Sequence, residues 1–110
     1  MAIISNLTID QGTTFTANID CTASDGNTLN LAGYSAAAQL RKTYSSSTST
    51  AFTAIVANAT TGRLQISLTA TQTGALEAGR YVYDVEITDS SGIITRVVEG
   101  QVEITPGVTR

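Results

Sequence analysis

The chain has 110 residues, 42% of them hydrophobic and only 14% charged, which excludes the polar, highly charged profile of a disordered chain and fits one domain spanning 1–110. Its formal net charge of −3 argues against nucleic acid or an anionic membrane as partner, since both need clustered Lys and Arg. One cysteine excludes an intrachain disulfide and a Cys-rich metal site, and the absence of histidine removes the commonest general base, the Ser-His-Asp triad and most catalytic zinc sites.

In chain order, 4–9 reads as a short strand ended by Asp10-Gln11-Gly12. Then 13–22 alternates strictly, with Phe15, Ala17, Ile19 and Cys21 on one face and Thr14, Thr16, Asn18 and Asp20 on the other. The two segments form either a hairpin or a switch between sheets. Ser24-Asp25-Gly26-Asn27 is a tight-turn signal, followed by a second turn at Leu31-Ala32-Gly33. The strand 34–43 carries Ala36, Ala38 and Leu40 in alternation, small enough to let a facing sheet approach closely. The Ser/Thr run 45–50 has no apolar anchor and is expected as a mobile surface loop.

A strand opens at Phe52 and stops at Asn58-Ala-Thr-Thr-Gly62. Leu64, Ile66 and Leu68 then give the most regular period of two in the chain. Thr69-x-x-Gln72 has the form of a capping box, which predicts one short helical turn near 69–76. Tyr81, Tyr83, Val85 and Ile87 alternate with polar residues up to the turn Asp89-Ser-Ser-Gly92. The last strand, 93–105, is expected to bulge at Gly100 and to end at Pro106. About seven antiparallel strands separated by Gly and Asp turns predict an all-β, immunoglobulin-like sandwich, with a closed barrel as the alternative. No tryptophan and no second cysteine are present for the antibody-type core pin.

Candidate chemistry is sparse. Asp84 and Glu86 share one strand face, with Glu99 or Glu103 expected across from them, as a cation site, an acid/base pair or, the favoured reading, ordinary solvated carboxylates. Cys21 falls on the apolar phase of its strand with no histidine to activate it, so a buried, inert thiol is expected. Tyr81 and Tyr83 share the phase of Val85 and Ile87, which favours core packing over a sugar-stacking platform. Arg63, Arg80 and Arg96 are scattered among acids, favouring solvated or interface roles over phosphate binding. No calcium-loop pattern occurs, so neither a metal nor a cofactor is expected, and the chain is read as not an enzyme.

The N-terminal Met-Ala-Ile-Ile-Ser-Asn has no basic or long apolar segment, so no secretory signal is expected, and the sequons at Asn6 and Asn58 carry no meaning without secretion. No apolar run approaches the roughly 18 residues of a membrane helix. Soluble monomeric domains carry about a quarter charged residues, so the deficit here, with Ser/Thr-rich strand faces, points to a surface partly covered by neighbours.

Several segments taken together carry a resemblance: Leu7-Thr-Ile-Asp-Gln-Gly12 with Phe15; Asp25-Gly26 followed by Asn30-Leu-Ala-Gly-Tyr34; Gly62-Arg-Leu-Gln-Ile-Ser-Leu-Thr69 with Gln72-Thr73; Ala78-Gly-Arg-Tyr-Val-Tyr-Asp-Val-Glu86; and Val98-Glu-Gly100 leading to Ile104-Thr-Pro106. They cover most of the chain, which resembles small virion structural proteins of tailed bacteriophages, notably those of marine cyanophages. The resemblance implies a capsid decoration or cement protein, or a head-tail or tail-associated subunit. Such a protein is made in the host cytoplasm, carried in the virion and present in many copies or as a homo-oligomer bound to other virion proteins. It transfers no catalytic residue. The alternative is a receptor- or carbohydrate-binding module of a tail or baseplate, which would need exposed aromatics, and aromatics are only 5% of the chain. Pro106, Val108 and Arg110, beyond the last strand, are the candidate docking residues.

Overall fold

A computed structural model describes residues 3–22 and 26–108. The alternating segments form nine strands: β1 Ile3–Ile4, β2 Leu7–Asp10, β3 Phe15–Asp20, β4 Ser35–Arg41, β5 Thr50–Ala51, β6 Thr53–Asn58, β7 Arg63–Leu68, β8 Gly79–Thr88 and β9 Ile94–Thr105, with one short helix, α1 Ala70–Gly74. Two sheets face each other. The larger runs β1-β9-β8-β4-β5, with β2 beside β1 on the same side of β9, and the smaller runs β3-β7-β6. β1/β2 and β5/β6 are each one strand interrupted, so the sandwich has the expected seven strands and the immunoglobulin-like arrangement. The first of them lies parallel to β9 rather than antiparallel.

The core lies where the inward phases of the two sheets meet. Leu64, Ile66, Leu68, Leu40, Val85, Ile87, Val98, Val102 and Ile104 are all at most 4% exposed, and Phe15 and Ile19 pack against them at the margin. Phe52 is the hinge of a sheet switch: β5 pairs with β4, Phe52 donates its N–H to Ala38 O at 3.0 Å, and β6 then joins β7 in the other sheet. The Phe52 ring lies 6.1 Å from both Phe15 and Tyr83. Two sheet switches thus replace simple hairpins, at 10–15 and at Phe52. The expected unanchored loop at 45–50 is tied down by Arg41 Nη1 donating to Ser46 O at 2.6 Å, and its last residue enters β5.

The predicted helical turn is present. Thr69 Oγ1 accepts from Gln72 N at 3.2 Å while Gln72 Oε1 accepts from Thr69 N at 2.9 Å, a capping box that satisfies two free donors reciprocally. Thr73, fully buried, donates to Thr13 O at 2.7 Å, and Gln11 Nε2 donates to Leu76 O at 2.7 Å, fastening α1 to the turn between β2 and β3. Just beyond, the Tyr81 hydroxyl donates to Glu77 O at 2.9 Å, the tyrosine corner that recurs in immunoglobulin-like sandwiches.

Gly100 does not carry the expected bulge. It sits in regular register opposite Tyr83, and the irregularity falls where Val85 pairs with Val98 but Glu86 with Arg96, leaving Val97 extra. Gly100 is needed for another reason: a Cβ there would collide with the Ser5 carbonyl, because the break between β1 and β2 is pressed onto β9 at this point. Of the Ser24-Asp25-Gly26-Asn27 turn, Ser24 and Asp25 lie outside the described residues; an antiparallel bridge between Thr22 and Thr28 closes the loop around it.

Candidate functional site

The residues singled out for chemistry are spread over both sheets and the C-terminal end. On the outer face of the larger sheet, Arg96 Nε stands 3.2 Å from Asp84 Oδ2 and its Nη1 3.2 Å from Glu99 Oε2, with Glu86 opposite Arg96 in register. Arg96 is held charged more firmly than usual by its hydrogen bond to Glu99 and by Asp84. Glu103 is not across from these carboxylates but opposite Arg80, further along the ladder. Among the described residues no group of three or more His, Cys, Asp or Glu is placed to hold a metal ion. A shallow hollow of about 260 Å³ lies over this network, lined by Gln39, Arg41, Tyr44, Asp84, Arg96 and Glu99. Tyr44, 80% exposed, is an aromatic the strand alternation did not reveal; its signal was its place after β4 and before the Ser/Thr run, outside any alternating phase.

Cys21 is 4% exposed, and burial, reinforced by Asp20, pushes its thiol pKa up, away from the reactive thiolate. Tyr81 and Tyr83 are buried with their hydroxyls satisfied by Glu77 O and Ser5 O, and burial raises both phenol pKa values. Their rings offer no exposed stacking platform. Pro106 and Val108 are exposed, Val108 at 95%, while Gly107 N donates to Gln11 Oε1 at 3.3 Å at the root of the tail; Arg110 lies outside the described residues.

The smaller sheet has a different character. Its outer face is a grid of cross-strand rows: Thr16 beside Ser67 beside Thr53, then Asn18 beside Gln65 beside Ile55, then Asp20 beside Arg63. Of six basic and nine acidic residues in the chain, only Arg63 and Asp20 lie in these rows, and they neutralise each other at 2.9 Å. Ile55, 48% exposed, is the one large apolar side chain in the grid. β3 forms one edge of this sheet. Along it Phe15, Ala17 and Ile19 face inward yet are only partly buried, whereas their partners on β7, Leu68, Ile66 and Leu64, are 1%, 0% and 0% exposed. Among the described residues no backbone group takes up the free side of β3 from Phe15 to Asp20.

No family model matches this chain, and no curated protein matches it either. Among solved structures it is similar to an internalin-like protein of Listeria monocytogenes, with a TM-score of 0.48 and 17% identity over 96% of this chain. The chain spans 28% of that protein's length.

Proposed function

We propose that this chain is a virion structural protein of a tailed bacteriophage, a capsid decoration subunit or a head-tail or tail-associated subunit, that works by protein–protein contact and not by catalysis. The observation that carries the reading is the smaller sheet, whose outer face holds no unpaired charge and whose β3 edge leaves apolar side chains half-covered. An exposed sheet face of a freely diffusing domain is ordinarily rich in charge, and natural proteins guard open strand edges with Lys, Pro or bulges. β3 has none of these: its only charge is Asp20, tied to Arg63, and its register with β7 is regular over all six residues. The sequence resemblance to phage virion proteins supplies the setting in which such a surface is covered by neighbours.

The test is quantitative mass spectrometry of density-purified particles of the phage that encodes the chain. The proposal expects the protein at several copies per particle. Its absence from washed particles, with accumulation in the infected cell, overturns it.

A further inference from the structure

We propose that the free edge of β3 pairs with β3 of a second copy of this chain, antiparallel about a two-fold axis at Ala17, joining two three-stranded sheets into one of six. This rests on the reading of the smaller sheet as a contact surface and names its partner.

The residues of β3 are self-complementary in that register. An antiparallel pair puts directly opposite residues on the same face. With Ala17 facing Ala17 of the second copy, each Phe15 falls opposite an Ile19 on the inward face and each Thr16 opposite an Asn18 on the outward face. The three side chains that one copy leaves half-covered are therefore covered by the same three of the other. Charge agrees: Asp20 falls opposite Thr14, away from the apolar row, and stays paired with its own Arg63, so no like charges meet. Other registers that keep the faces matched break this set: one centred on Asn18 brings Asp20 opposite Thr16, Ala17 opposite Ile19 and Phe15 opposite Cys21, which lies beyond the end of β3 and is already buried, so the half-covered Phe15 and Ile19 no longer cover each other.

A six-residue edge spans about 20 Å, so the contact belongs to the class burying less than about 1,200 Å² in total, where association is weak and reversible. That suits a subunit present in many copies, whose contacts add through local concentration.

Two variants of the full chain that each add one cysteine, Thr16→Cys and Asn18→Cys, test the register. Only a mixture brings the two new thiols directly opposite, within the reach of a disulfide, while like positions lie too far apart. Under mild oxidation the mixture should yield about fivefold more covalent dimer than either variant alone, with buried Cys21 setting the background. In parallel, sedimentation equilibrium should show wild-type self-association that Thr16→Lys/Asn18→Lys weakens about tenfold or more at unchanged melting temperature, since Lys is a natural edge guard. A mixture no better than the single variants, self-association surviving the two lysines, or cross-linking of β3 to residues 106–110 or to a different virion protein overturns the pairing. If the lysine variant is still incorporated fully into virions, the pairing fails and the structural reading stands; if wild-type chain is absent from virions, the structural reading fails whatever the cross-linking shows.

Discussion

The Tyr83 hydroxyl donates to the Ser5 carbonyl at 2.6 Å, joining the middle of β8 to the break between β1 and β2 across 78 residues of sequence. Ser5 N in turn donates to Glu99 O at 2.9 Å, and Gln101 N donates to Asn6 Oδ1 at 3.0 Å, so the break is clamped from both sides of Gly100. Tyr83→Phe removes one hydrogen bond and should cost about 1–2 kcal/mol in denaturant unfolding. Gly100→Ala forces the clamped Ser5 away and should cost more, about 2–4 kcal/mol. A Gly100→Ala domain as stable as wild type would show that the first strand does not press on β9.

The alkaline limit of stability follows from three buried groups. Cys21 is pushed above its ordinary 9.0 by burial and by Asp20, and Tyr81 and Tyr83 above their ordinary 10.0 chiefly by burial. Each is neutral when protonated, and the unfolded chain releases its proton first, so between the two pKa values the folded state holds more protons and stability falls as pH rises. The contribution is fully present below about pH 9 and is lost upward from there, first through Cys21 and then through the tyrosines. Melting temperature should therefore decline steadily between about pH 9 and 11, with Cys21→Ala flattening the early part. A flat profile to about pH 11 contradicts the burial of these groups.

Core and face assignments separate cleanly in a pair of truncations. Leu68, 1% exposed, should cost about 2–5 kcal/mol when changed to Ala. Ile55, on the outer grid, should cost well under half of that by the same change, because much of its side chain already meets solvent. Similar losses from Leu68→Ala and Ile55→Ala in chemical denaturation would place the two on the same side of the sheet.

Removing residues 106–110 takes away one 3.3 Å hydrogen bond from Gly107 and the fully projecting Val108. The isolated domain should keep its stability within about 0.5 kcal/mol. If the tail docks, particles built with the shortened chain should lose it or become less heat-resistant. Full incorporation with unchanged particle stability shows the tail to be idle.

Alternation made the inward faces legible, because a period of two fixes which side chains share a face: Phe15, Leu40, Leu64 and Val85 all lie where their phase puts them. The helical turn was legible because a capping box is local, needing only Thr69 and Gln72. Contacts between distant segments were not. Gly100 reads the same whether it marks a bulge or a close approach, and only Ser5, far off in sequence, decides between them. The run up to Thr50 reads as a loop and Phe52 as the start of a strand, since nothing in these residues says that Thr50 and Ala51 pair with β4 before Phe52 passes the chain to the other sheet. The open edge of β3 was equally invisible, because its alternation is that of a central strand and its exposure depends on the first strand having joined β9 instead.

The contact role of the smaller sheet is tested most directly by putting charge on its outer face and measuring incorporation into particles. Gln65→Lys/Thr53→Lys alters two exposed or half-buried grid positions on β7 and β6, the first of them beside Asn18 of β3. Arg80→Ala on the larger sheet is the control, an exposed residue outside the grid. Wild type and the Arg80 variant should enter particles equally, and the double lysine variant should enter about tenfold less, with its melting temperature within a few degrees of wild type. Full incorporation of the double lysine variant contradicts the assignment of this sheet as the assembly surface.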